Sequence, residues 1–290
     1  MLLIMLNRSL FLSAALAALI VPRLAATPIP AKFDTGGFAL GCQAYTFKDF
    51  TAFEAIDMTA DAGGKVIEFF PGQKLSPDEP NVKLDHNMAP SDIDALKKKL
   101  SQRHVRAVNY GVVGAKGEQE WRKIFEFAKT LNLYGITTES VDQLDTIEKL
   151  VKEFDIRVGI HDHARQPANP NYKVWDPKYV LSVVQDRDRR IGACADTGHW
   201  VTSGLDPVEC LKILKGRVMS CHLKDKDKYG EEGHCVPFGT GVGQTTELLN
   251  ELKAQHFDGN ISIEYEYHFG HSLPEVKQCV DFVRAYKTKK

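Results

Sequence analysis

Apolar and polar positions along this chain fall into two alternating periods. Short runs rich in apolar and β-branched residues lie at 38–45, 65–69, 105–110, 135–138, 156–161, 191–196, 218–223 and 261–265. Between them are longer stretches with apolar residues every three or four positions, as at 91–102, 118–131, 144–153 and 245–255. The first pattern predicts strands and the second amphipathic helices. Ser91 and Asp92 suit a helix N-cap, and Asp206 before Pro207 puts proline in a first helical turn.

This repeated βα alternation predicts a parallel sheet. Eight strand segments, with no glycine-rich phosphate loop after the first, favour a closed (β/α)8 TIM barrel of the α/β class over an open doubly wound sheet. With 290 residues, 43% of them hydrophobic, the chain has material for one large core. One domain over 27–290 is therefore expected. The irregular segments 71–90, 166–176 and 225–243 each follow a strand, so they should gather at one face and shape a pocket.

The N-terminus adds a location. Arg8, an apolar run over 10–21 and the small residues Ala25 and Ala26 before Thr27 read as a signal peptide over 1–26. The run is shorter than the ~20 residues that span a bilayer, so an exported protein, periplasmic or secreted, is expected, with a retained anchor as the alternative. A net charge of −1 offers no field for a polyanion. The expected partner is a small molecule, with no nucleic acid and no membrane after signal removal. Of the six cysteines, Cys194 and Cys221 fall inside strand candidates, and Cys42, Cys210, Cys235 and Cys279 have no CxxC spacing. Free buried thiols are expected.

In a barrel of this kind reactive groups project from the C-terminal ends of the strands. Those ends carry Glu68, then Glu139, then His161, Asp162 and His163, then Asp196 and His199, then His222, Lys224 and Lys226, and last Glu264 and Glu266. Singly, a strand-end carboxylate is usually a cap or a surface charge. Together they are hard to explain by stability, because carboxylates buried near one axis are costly unless a cation neutralises them. A carboxylate and imidazole set without thiolate suits Mn, Co, Zn, Fe or Mg as the divalent metal ion. Tyr45 and Phe47, at the end of strand one, offer either an aromatic wall for a sugar or core packing, and Trp175 and Trp200 are open to the same two readings.

The motifs Cys194-Ala195-Asp196-Thr197-Gly198-His199, Cys221-His222-Leu223-Lys224-Asp225-Lys226 with the later Gly239-Thr240-Gly241-Val242-Gly243, and Ile261-Ser262-Ile263-Glu264 carry a resemblance. From about 38 to 286 the chain resembles the xylose-isomerase-like TIM barrel superfamily of sugar phosphate isomerases and epimerases. In that family a Glu ending strand five, an Asp ending strand six, a His ending strand seven and a Glu ending strand eight hold the metal. The resemblance places the last three on Asp196, His222 and Glu264. The first departs, because His161-Asp162-His163 stands where Glu-Asn-His is expected. Either His161 takes the ligand position or Glu139 supplies the missing carboxylate.

The resemblance also implies roles around the ion. His199 matches a histidine that contacts substrate oxygens, and His163, Tyr45, Glu68, Lys224 and Lys226 join it as candidates for holding a carbohydrate substrate. The implied reaction is metal-assisted removal of a proton beside a sugar carbonyl, giving an enediolate, with Glu264 or Glu139 as base and His163, His199 and Lys224 as further catalytic candidates. Reprotonation completes an isomerisation or epimerisation. A lyase that eliminates the aglycone of a 3-keto-glycoside shares the intermediate and is the alternative. A non-catalytic carbohydrate-binding barrel is a lesser one, and an endonuclease of this fold is disfavoured by the near-neutral charge.

Overall fold

The computed structural model describes residues 28–287, so the expected signal peptide lies outside the described residues. Eight parallel strands form the barrel: β1 Phe38–Gln43, β2 Val66–Phe69, β3 Arg106–Tyr110, β4 Gly135–Thr138, β5 Arg157–His161, β6 Ile191–Asp196, β7 Val218–Leu223 and β8 Asn260–Ile263. Each pairs with the next, and β8 returns to β1 in the register Asn260↔Ala39 to Ile263↔Cys42, which closes the sheet. The closed barrel expected from the alternation is the observed fold.

The helices are α1 Ala52–Ala62, α2 Pro90–Arg103, α3 Glu118–Thr130, α4 Leu144–Phe154, α5 Pro177–Val184, α6 Thr197–Thr202, α7 Pro207–Ile213, α8 Thr245–Ala254 and α9 Leu273–Ala285. Their apolar stripes supply the outer core. Trp121, Ile124 and Phe125 of α3, and Ile147, Leu150 and Val151 of α4, are fully buried. Local signals set several starts. Thr51 and Glu54 cap α1 reciprocally, and Asp206 accepts the N–H groups of Val208 and Glu209 ahead of α7. The cap expected at Ser91 and Asp92 is not there. Pro90 already has the φ of a first helical residue, so α2 begins one position earlier, behind Ala89 and without a side-chain cap.

The segments expected to be irregular contain two small hairpins. Gln73–Lys74 pairs with Lys83–Leu84 after β2, and Asp225–Lys226 pairs with Cys235–Val236 after β7. All six cysteines are buried and free, as their positions in the pattern imply. Among the described residues no helix is long and apolar enough to cross a membrane.

Closure leaves little space between neighbouring strands at β1. A Cβ on Gly41 would sit 1.5 Å from the Val66 carbonyl oxygen, so only glycine allows β1 and β2 to approach as they do. Gly41→Ala is expected to leave little folded protein, seen as a large drop in soluble yield and in the thermal midpoint by circular dichroism. A midpoint equal to that of the parent would contradict this packing.

Candidate active site

Four side chains meet at the C-terminal face. His161 ends β5, Asp196 ends β6, His222 is the penultimate residue of β7, and Glu264 directly follows β8. One ligand atom from each lies within 4.8 Å of the others. Asp196 Oδ2 is 3.6 Å from His161 Nε2 and 3.7 Å from His222 Nδ1, and His222 Nδ1 is 3.2 Å from Glu264 Oε2.

His161 Nε2 and His222 Nδ1 are buried without a well-aligned hydrogen-bond partner, and Asp196 Oδ2 between them meets the Lys224 ammonium at 2.8 Å. An unpaired buried polar atom typically costs about 1–3 kcal/mol, so two imidazole nitrogens aimed at one carboxylate oxygen mark a place for a common partner. Two imidazole nitrogens and two carboxylate oxygens, with no thiolate, fit a divalent ion of the set named above.

The far side of each ligand is tied down. Asp196 Oδ1 accepts the His199 N–H at 2.9 Å and so caps α6, which turns Oδ2 toward the cluster. His161 donates from Nδ1 to Glu139 Oε1 at 3.2 Å, which turns Nε2 toward the cluster. His222 Nε2 lies 3.0 Å from Glu68 Oε2. Asp162 Oδ1 accepts the Asp196 N–H at 2.8 Å, a direct tie between β5 and β6.

Charge balance explains the titration behaviour. Burial opposes a proton on His161, yet Asp196 and Glu139 outweigh it and raise the imidazole to about 10. Burial likewise opposes protonated His222, and its carboxylate neighbours raise it well above the ordinary value. The carboxyl of Glu264 would rise by burial, but Lys224 and His222 pull it below the usual range. Lys224 itself is buried among anions: its Nζ is 2.8 Å from Asp196 Oδ2 and 2.7 Å from Glu264 Oε2, and it also contacts Glu266. Those three carboxylates override burial and keep it a cation. Burial, joined by Lys224, holds His199 well below its ordinary value, as a neutral ring.

Above the cluster is a cavity of about 300 Å³. Its polar side is His161, His163, His199, Glu264 and Glu266, and its apolar side is Tyr45, Phe70, Pro71 and Val112, with Gln43 between. Of the expected substrate contacts, Tyr45, His163 and His199 line this cavity.

Three expectations are corrected. Glu68 does not line the cavity as a substrate contact, because it is wholly buried inside the barrel under His222. Lys226 does not reach the cavity either. Its Nζ donates to Thr202 Oγ1 at 2.9 Å on α6, while the glycine-rich loop after β7 folds back on Asp225, whose carboxylate accepts the N–H groups of Gly239, Gly241 and Gly243. Glu139 is off the cavity wall where a base would stand, and it lies outside the four-residue cluster, grouping instead with His161 and His163 as a second set of possible ligands. It sits behind the histidines, accepting from His161, His163 and Tyr172, so His161 is the one of the two that reaches the four-residue cluster and Glu139 orients its ring.

Other residues were missed. Gln43 and Phe70 stand at strand ends and could have been found by the same test that found the acids; Val112, an apolar loop residue, carried no signal. Phe47 and Trp200 are core residues, and Trp175 stacks under Arg165.

The raised imidazoles make a direct prediction. Both carry protons at neutral pH until an ion displaces them, so metal uptake should release protons and tighten as pH rises. Titration calorimetry in buffers of different ionisation enthalpy measures the release. His222→Ala should lose stoichiometric metal; full metal content in that variant, or pH-independent uptake in the parent, would contradict the assignment.

Comparison with known proteins places the fold. A solved structure of an uncharacterised protein from Parabacteroides distasonis ATCC 8503 is 33% identical, with a TM-score of 0.68 over 84% of this chain and 97% of that one. A D-tagatose 3-epimerase-like protein, 17% identical, superposes with a TM-score of 0.64 over 84% of this chain and 96% of its own. An uncharacterised protein of Methanocaldococcus jannaschii is 27% identical over 136 residues, which is 44% of this chain and 43% of that relative, so the match spans less than half of its length. A model of the xylose isomerase-like TIM barrel matches residues 134–286. Because that match takes in more than half of the chain and lies on a barrel closed by eight strands, the chain belongs to the xylose isomerase-like TIM barrel family.

Proposed function

We propose that this chain is an exported, metal-dependent sugar isomerase or epimerase that removes a proton beside a carbonyl. The observation that carries the reading is the convergence of two buried imidazole nitrogens and two carboxylates, His161, His222, Asp196 and Glu264, at a cavity lined by His161 and Glu264. A divalent ion held by His161, Asp196, His222 and Glu264 supplies Lewis-acid stabilisation of the charge that develops on the carbonyl oxygen.

The chain's own groups supply the rest. His163 pairs through Nδ1 with Glu139, which leaves Nε2 as its basic nitrogen in the arrangement that orients a general base. His199 is kept neutral and its ring is 4.6 Å from that of His163, so two imidazoles able to accept a proton stand together on one side of the cavity. Lys224 places a fixed positive charge beside the same carboxylates. Tyr45 and Phe70, edge to face at 5.3 Å, offer an apolar surface for the C–H face of a sugar.

A second reading is favoured by the same-side placement of His163 and His199. Inverting a carbon needs proton transfer on both faces, whereas one face suffices for isomerisation or for elimination from a 3-keto-glycoside. Product analysis in D2O separates these outcomes. Isomerisation or epimerisation should give a new sugar carrying solvent deuterium at the α-carbon, and elimination should release the aglycone. In either case His163→Ala should lower turnover by about 10²–10⁴-fold with metal content unchanged. Neither exchange nor release from any ketose or 3-keto-glycoside would contradict the reading. For export, the mass of the protein recovered outside the cytoplasm should begin at Thr27; retention of the full chain inside would contradict it.

A further inference from the structure

Glu68 has no exposed surface and stands inside the barrel, where an apolar side chain would cost less. Its surroundings are specific. Thr137 Oγ1 donates to Glu68 Oε1 at 2.8 Å, and Ser262 Oγ donates to Oε2 at 2.9 Å. Each of those hydroxyls is itself held by an amide: Asn109 Nδ2 donates to Thr137 at 3.4 Å and Asn260 Nδ2 to Ser262 at 2.8 Å. A hydroxyl that accepts from an amide has its own hydrogen free to turn toward the carboxylate. Three strands, β3, β4 and β8, thus fix Glu68 as an acceptor on both oxygens.

A carboxylate is an acceptor only, so its 3.0 Å contact with His222 Nε2 requires the hydrogen to be on that nitrogen. The opposite nitrogen, Nδ1, is the one that faces Asp196 and Glu264 without a hydrogen-bond partner. We infer that Glu68 is a positioning residue that holds the His222 hydrogen on Nε2 and presents Nδ1 to a bound cation. The inference rests on the metal reading above. Glu139 does the mirror task for His161 through the other ring nitrogen, so the two imidazoles are presented by opposite atoms.

Glu68→Gln preserves shape but replaces one acceptor oxygen with an amide donor facing groups that also donate. Its Zn²⁺ dissociation constant, from competition with a chromophoric chelator, should rise about 10–100-fold. In Zn²⁺-loaded protein labelled with 15N-histidine, the His222 Nε2–H signal should lie at low field and move upfield in the variant. The His161 signal should stay in place, which separates lost positioning from general unfolding. Ser262→Ala, which removes one donor to the same carboxylate, should weaken Zn²⁺ binding by less and serves if Glu68→Gln does not fold. Parent-like affinity and an unmoved His222 signal in the variant that folds would overturn the role of Glu68 while leaving the metal reading intact. A parent protein that takes up no Zn²⁺, Mn²⁺ or Co²⁺ would overturn both.

Discussion

The cost of holding carboxylates out of water governs this molecule. Asp196 has no exposed surface and Glu264 is 7% exposed, and both stay ionised beside each other. Removing such a group from water costs roughly several kcal/mol even after relaxation, so positive charge must be supplied at that spot. Lys224 supplies part of it. The raised imidazoles of His161 and His222 supply more, and the same four side chains have the donors to hold a divalent cation in place of those protons.

Each member of the cluster divides its atoms between scaffold and site. Asp196 caps a helix with one oxygen and turns the other inward. His161 and His222 each give one ring nitrogen to a carboxylate behind them and turn the other inward. The barrel makes this possible because neighbouring strands present their ends side by side, so anchoring contacts come from β2, β4 and β8 rather than from flexible loops. Preorganisation of this kind keeps ligand geometry rigid without help from the substrate.

Much of this was legible in the sequence because the governing signals are periodic. Alternating strand and helix segments gave the eight strands, and reading what stands at the strand ends singled out Asp196, His222 and Glu264 together with His161, His163 and His199. What stayed hidden depends on side-chain direction and on packing between distant segments. Glu68 ends a strand like the others, yet its carboxylate lies within the barrel and meets Thr137 and Ser262, which no spacing rule connects. The choice between His161 and Glu139 needed the hydrogen bond between them. Lys226 lies past the strand end, on a hairpin whose loop folds back on Asp225, and what stands at a strand end does not show such a turn.

Anomalous diffraction from crystals grown with Mn²⁺ tests most directly whether a cation sits among these four side chains. A single strong peak within ligand distance of His161 Nε2, Asp196 Oδ2, His222 Nδ1 and a Glu264 oxygen, with Lys224 still alongside, is the expected result. A Mn²⁺-saturated crystal with no peak there, and with Lys224 alone filling the space among those carboxylates, would contradict it.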